Sequence, residues 1–385
     1  MTARRRLLTV GHSFVIGVNR RLAHELSRVG GAGVEVVCVA PKRYRADLGW
    51  ARFTPAPDEP CRTVGVRAYG TKSPHLFGYG AELRELLRRG WDSVFAWEEP
   101  YVVAGAQIAA WTPRSAAFSF LTFQNIRKRY PPPFSWLERY TLERSDGWFY
   151  SGHSVYEVQR AAPGYRDRPS CLGPLGVDMQ LFRPDADARR RVRIGLGWKD
   201  DGPPVIGFVG RFVPEKGLHF LMRVLDRLAT PWRALFLGGG VLEGDLRRWA
   251  RRHDERVRIV SAPHDQVPAY VNSFNLLCAP SETARHWREQ FGRMLIEAFA
   301  CAVPVIGSDS GEIPHVIGDA GIVAREGDEK AWIQALERLL GDATLRADLG
   351  ASGLARATKV YAWPVVARGY LDFFEQLAAA RHRNG

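Results

Sequence analysis

The chain has 385 residues, 46% of them hydrophobic and 25% charged, a length and balance that supply two separate cores and exclude a disordered or fibrous protein. Its five cysteines (Cys38, Cys61, Cys171, Cys278 and Cys301) are odd in number and widely scattered, which excludes a disulfide framework or a Cys-x-x-Cys metal site and points to a reducing cytosol. The formal charge of +13 is uneven: residues 1–190 hold 28 Lys/Arg against 18 Asp/Glu, a balance of +10, and residues 191–385 hold 26 against 23, a balance of +3.

Arg4-Arg5-Arg6 leads into a short strand at 7–11 rather than a signal-peptide core. No apolar run reaches the ~20 residues needed to cross a bilayer, so a cytoplasmic protein is expected, either free or peripheral at the inner face of the membrane. His12-Ser-Phe-Val-Ile-Gly17-Val18 then connects that strand to a helix at 18–28. Gly17 leaves room for close approach to the backbone, or it marks a plain turn. Strands follow at 34–40, 93–97 and 116–123. Glu98 and Glu99 come directly after the second of these. Adjacent carboxylates there bind acceptor hydroxyls or take a proton, or else form a solvated loop end. Gln124 and Asn125 close the third.

Residues 181–204 carry the turn-formers and charges of a boundary region. Beyond it, strands at 205–210, 234–239, 257–260, 274–280 and 303–308 alternate with helices, so both halves read as parallel α/β units. The stretch Gly207-Phe-Val-Gly210-Arg211-Phe-Val-Pro-Glu-Lys216-Gly217 places two cations on the loop after a buried strand, where α/β sheets bind ligands and where cations neutralise a departing diphosphate. The stretch Glu289-Gln-Phe-Gly-Arg-Met-Leu-Ile-Glu297 has two carboxylates flanking a helix start at Gly292. At helical rise their separation is roughly 12 Å, enough to hold hydroxyls on either side of a diphosphate gripped by the free amides of Phe291, Gly292 and Arg293.

With Ala302-Val-Pro-Val-Ile306 and Gly311-Glu-Ile-Pro314, these two stretches are similar to the retaining glycosyltransferases of family 4, which have the GT-B fold. The resemblance covers nearly the whole chain and weakens toward the N-terminus. It implies two Rossmann-like doubly wound α/β domains facing across a cleft: an acceptor-side domain at 1–183, a nucleotide-sugar domain at 184–363, and a helix at 364–385 returning to the first domain. It implies transfer of a sugar from a nucleotide diphosphate to an acceptor hydroxyl with retention of configuration, in the manner of a hexosyltransferase. Arg211, Lys216 and Glu289 would be catalytic. Gly210, Phe291, Gly292, Arg293, Glu297 and Gly17 would bind the donor, with Glu289 at the sugar and Glu297 at the ribose. His12, Glu98, Glu99, Gln124 and Asn125 would orient the sugar or acceptor. Gln124 stands where many members carry a histidine, and glutamine neither gives nor takes a proton as an acid or base does.

The family also implies no cofactor and no catalytic metal, with the nucleotide sugar itself as substrate, UDP favoured by family frequency and GDP open. Asp185-Ala-Asp187 superficially matches the metal pattern of another glycosyltransferase architecture but precedes an arginine-rich helix, and the histidines lack metal spacing. The acceptor is a sugar, a lipid-linked group or a small molecule. The basic first half either contacts an anionic membrane or is solvated surface, and no nucleic-acid-binding motif accompanies it. A sugar-nucleotide epimerase is the competing activity, holding one substrate and needing no acceptor.

Overall fold

The structure is a computed structural model describing residues 4–46, 49–162, 164–199 and 201–384. The chain divides into two compact units, Met1–Pro174 with Trp363–Gly385, and Leu175–Ala362. The first contains a seven-stranded sheet of β1 (Arg5–Val10), β2 (Val34–Pro41), β3 (Arg62–Val66), β4 (Ser93–Ala96), β5 (Ala117–Thr122), β6 (Gly147–Tyr150) and β7 (Ser170–Leu172), in the order β7-β6-β5-β4-β1-β2-β3. Every pairing in it is parallel. Successive strand side chains point to opposite faces, and here both faces are covered. Leu8, Val37 and Phe118 enter one core, and Leu7, Val36 and Phe95 enter the other. This is why the inner strands read as continuous apolar runs rather than as alternation.

Helix α1 (Arg21–Gly30) and the C-terminal helix Trp363–Asn384 share that second face, burying Leu22 and Leu26 beside Val366, Tyr370 and Phe374. Tyr370 stacks on Phe149 with ring centroids 4.3 Å apart, and its hydroxyl donates to the Gly173 carbonyl at 3.1 Å. A Cβ on Gly173 would sit 2.4 Å from that hydroxyl oxygen, so glycine is what admits the ring.

The second unit contains a six-stranded sheet of β8 (Val205–Arg211), β9 (Arg233–Gly239), β10 (Val257–Val260), β11 (Leu276–Ala279), β12 (Val305–Ser308) and β13 (Ile322–Ala324), in the order β10-β9-β8-β11-β12-β13. It too is parallel throughout. Helix α2 (Leu218–Leu225) covers one face and α3 (Arg293–Ala300) the other. In both sheets the strand order reverses beside the first strand, between β1 and β4 and between β8 and β11. Loops diverge at such a switch point and leave a crevice at the carboxyl ends of the strands.

The structure departs from the sequence reading in several elements. Strands β3, β6, β7 and β13 were not foreseen, being short, and β3, β7 and β13 bury at most one residue each. The helix expected at 18–28 begins at Arg21, after a tight turn at Gly17–Arg20. Residues 175–183 pack with the second unit, where Val177 and Phe182 are buried. The boundary region is itself ordered. A helix spans Ala186–Gly195, capped by the Asp185 carboxylate accepting from the Ala188 amide at 2.7 Å, the ordinary work of aspartate at that position.

Candidate functional site

In the second unit, β8 runs out at Gly210 and Arg211, and Pro214–Lys216 forms one tight turn before α2. Gly217 sits at φ 69°, and a Cβ there would lie 1.8 Å from the Pro280 carbonyl oxygen. Only glycine lets this turn press against the end of β11. The contact brings Lys216 to the loop after β11. Its Nζ donates to Glu289 Oε2 at 2.5 Å, and Ser281 Oγ donates to the same oxygen at 2.9 Å. The ammonium also lies 5.0 Å from the Trp287 ring centroid. Glu289 is 6% exposed. Its carbonyl accepts from the Glu312 amide at 3.0 Å, and Gly311, at φ 57°, leaves room for it.

The run from Glu289 to Glu297 is helical only from Arg293 onward. Gly292 is left-handed at φ 81° and starts α3 with no side-chain cap, so the first amides of the helix lack intrahelical partners. The estimate of two carboxylates separated by continuous helical rise therefore fails for its first half, because Glu289 belongs to the loop. Glu297 is also 6% exposed, and burial pushes its carboxyl up to about 7, with Arg293 pulling only partly against that. Phe291 is buried in the core, so its backbone rather than its ring is what can face a ligand. Arg211 is exposed at the strand end.

Sequence reasoning missed several residues here. Ser281 and Trp287 touch the Glu289–Lys216 pair. Gly238 and Gly240, at φ 150° and 154°, bring the loop after β9 against Gly210 and Phe212, where a Cβ would meet backbone at 1.9 and 2.5 Å. The Gly-Gly-Gly run closing a strand was the available signal.

In the first unit, four loops leave the carboxyl ends of β1, β2, β4 and β5, and the structure joins two of the predicted residues directly. His12, after β1, donates its backbone amide to Glu98 Oε1 at 2.6 Å and sets Nδ1 2.7 Å from Glu98 Oε2. The Tyr79 hydroxyl donates to Oε1 at 2.7 Å. Glu98 is 3% exposed. Burial works to lower the His12 pKa, but the charge and hydrogen bond of Glu98, helped by Glu99, outweigh it and leave it raised.

Glu99 turns elsewhere, accepting from Thr122 Oγ1 at 2.6 Å and the Phe123 amide at 2.8 Å. Burial still lifts it to about 7. Gln124 Oε1 accepts from the Tyr130 hydroxyl at 2.5 Å, while Asn125 is buried. Gly17 is exposed, and the nearest atom a Cβ would meet is an Arg20 guanidinium nitrogen at 3.4 Å. The fold itself makes no demand for glycine there.

Residues 203–342 match the family described as Glycosyl transferases group 1. This match contains Arg211, Lys216, Glu289 and Glu297. Over 248 residues the chain is 29% identical to a D-inositol 3-phosphate glycosyltransferase of Corynebacterium jeikeium, covering 59% of this chain and 57% of that protein. It is 34% identical over 200 residues to a GDP-mannose-dependent alpha-(1-6)-phosphatidylinositol monomannoside mannosyltransferase of Mycolicibacterium smegmatis, covering 49% and 52%. The matched segments thus span little more than half the length of these relatives. Across 98% of this chain and 100% of the other, the fold matches a sucrose-phosphate synthase from Thermosynechococcus elongatus at TM-score 0.74 and 21% identity. It matches Anabaena HepE in complex with UDP at TM-score 0.75 and 15% identity, over 97% and 100%. Two parallel-sheet Rossmann-like units with these neighbours make the fold GT-B.

Proposed function

We propose that this protein is a glycosyltransferase that moves a sugar from a nucleotide diphosphate to an acceptor hydroxyl, with the second unit holding the donor. The observation that carries the reading is the grouping after β8 and β11 of a lysine, a buried carboxylate paired to it, and a second buried carboxylate on the helix that starts at Gly292. Arg211, Lys216 and the free amides at the start of α3 supply positive potential where a diphosphate would gather charge as the glycosidic bond breaks. Gly210 and the backbone of Phe291, Gly292 and Arg293 allow its close approach, and Glu297 would accept from ribose hydroxyls. The relatives' names support a hexosyl donor, with GDP-mannose named for one and UDP bound to one structural neighbour, and independence of metal and cofactor is what the family resemblance implies. Retention follows from the family resemblance. Incubation with a panel of UDP- and GDP-sugars, with and without acceptor, tests the reading. A glycosylated acceptor is expected, and an isomerised sugar nucleotide formed without acceptor would overturn it.

We further propose that the acceptor is anionic or lies on an anionic membrane surface. No helix among the described residues is long and apolar enough to cross a membrane, so such contact would be peripheral. The first basic cluster supports this less than its sequence suggests, because Arg5 pairs with Glu375 and Arg6 with Glu35. Arg127, Lys128 and Arg129 are exposed, as are Arg43, Arg45 and Arg52 on the hairpin that presents Trp50. Each basic residue near an anionic surface contributes about 1 kcal/mol and is screened within a Debye length. Co-sedimentation with phosphatidylserine vesicles is therefore expected to fall steeply with salt and to weaken in the triple charge reversal of 127–129. Equal binding to neutral vesicles would leave this surface as ordinary solvated charge.

A further inference from the structure

After β2 the chain leaves the seven-stranded sheet as an antiparallel hairpin, Arg43–Ala46 paired with Gly49–Arg52. Its register sorts the side chains, because opposite residues of a ribbon share a face and successive ones alternate. The pairings Arg43↔Arg52 and Arg45↔Trp50 put three arginines and a tryptophan on one face, and Tyr44↔Ala51 falls on the other. Burial agrees. Tyr44 is enclosed in the core with Phe77 and Tyr79, and Ala51 packs against that core, whereas Arg43, Arg45, Trp50 and Arg52 are all exposed. The outward face breaks two ordinary rules. Arg43 and Arg52 stand directly opposite each other, which is destabilising, and among the described residues none of the three arginines pairs with a carboxylate. The Arg43 guanidinium lies 4.0 Å over the Trp50 ring, yet 48% of that tryptophan remains exposed.

Such a face is complementary to a plane of negative charge. Anionic lipid attracts each cation, and an indole, with its apolar body and single N–H, settles at the level of the headgroups. The strands are ~13 Å long and their inner face is fixed in the core, so the four outward side chains can meet a plane together without rearrangement of the fold. A single-stranded nucleic acid is instead held in a groove that tracks its phosphates, with aromatic rings free to stack on bases. Here the ribbon offers an open face, and its one ring is already covered in part by arginine. On the inner side Tyr44 meets His12 with ring centroids 4.8 Å apart, so the hairpin borders the loops after β1 and β4 where His12 and Glu98 join. Resting on the reading that the acceptor lies on an anionic membrane, we propose that this hairpin seats the first unit on anionic lipid. Trp50 then sits among the headgroups, and the His12 and Glu98 loops lie beside the lipid surface, where a lipid-linked acceptor reaches them without leaving it.

The test compares the full chain with the triple variant Arg43→Gln/Arg45→Gln/Arg52→Gln, with Trp50→Ala and Trp50→Phe, and with the charge reversal of 127–129. All the hairpin substitutions are on exposed side chains, so melting and nucleoside-diphosphate binding should stay as in wild type. On phosphatidylserine vesicles the triple variant is expected to lower the partition coefficient roughly 100-fold and to flatten its salt dependence. Trp50→Ala should weaken binding at every salt concentration, since burial of an indole is not screened. Lipids brominated near the headgroup should quench wild-type fluorescence more than that of Trp50→Phe, and the difference reports Trp50 alone among the 12 tryptophans. Wild-type vesicle binding by the triple variant, with all loss confined to the 127–129 reversal, would overturn the role of the hairpin and leave the membrane reading standing. Equal binding of wild type to neutral and anionic vesicles would remove both. Preferential retention on single-stranded RNA through the same arginines, with no quenching of Trp50 by brominated lipid, would assign this face to nucleic acid instead.

Discussion

Lys216→Ala is expected to lose turnover and stability together, whereas Arg211→Ala loses turnover alone. Arg211 is exposed at the end of β8, and removing one charge-assisted contact to a diphosphate costs roughly 2–4 kcal/mol of transition-state stabilisation, about 30- to 1000-fold in rate. Lys216 lies on a loop and would pass from the sequence for an equally separable cation. Its ammonium, however, is held by Glu289 in a site where the two side chains are 14% and 8% exposed. Deleting one member of such a pair leaves a buried charge behind and costs about 3–5 kcal/mol. Lys216→Ala should therefore melt well below wild type without ligand. Adding Glu289→Ala should recover part of that loss while leaving the enzyme inactive. Melting temperatures with steady-state rates decide the matter: wild-type melting and rates within twofold for Lys216→Ala would remove the pair from both roles.

What was legible in the sequence follows from range. The sheet cores are long apolar runs punctuated by glycine, and each donor-side motif spans no more than eleven residues, so strands, loops and candidate residues of the second unit could be read along the chain. Ser281 and Trp287 were invisible because Ser281 meets Glu289 and Trp287 meets Lys216 only in the folded chain, where Gly217 presses against Pro280, a closeness set by backbone packing. In the first unit the same limit was more severe. His12, Tyr79 and Glu98 are singly unremarkable residues brought together only when β1 and β4 become neighbours. Glu98 and Glu99 read as equivalent, but the strand end turns one carboxylate to His12 and the other to Thr122. Their roles separate only in three dimensions.

Glu297 carries a cost that a ligand would remove, and this makes two opposite effects of one substitution expected. An ordinary glutamate carboxyl sits near 4.5, and burial holds this one at about 7. Between those values the folded protein keeps a proton that the unfolded chain releases, so the carboxyl costs nothing below about pH 4.5, progressively more as pH rises to 7, and a constant amount above, at most about 3 kcal/mol. Glu297→Gln should thus raise the melting temperature at pH 8 and leave it unchanged at pH 4.5. A nucleotide whose ribose hydroxyls donate to this carboxylate favours its ionised form. Binding of nucleoside diphosphate near pH 6 should therefore release a proton, seen in calorimetry as an enthalpy that varies with the buffer's ionisation heat. In Glu297→Gln that proton release disappears and affinity falls roughly 10- to 100-fold, the worth of hydrogen bonds to a charged group. Glu289→Ala, the carboxylate proposed to meet the sugar, should keep most nucleoside-diphosphate affinity and lose transfer. Equal loss of affinity in both variants, or buffer-independent binding by wild type, would remove Glu297 from the ribose.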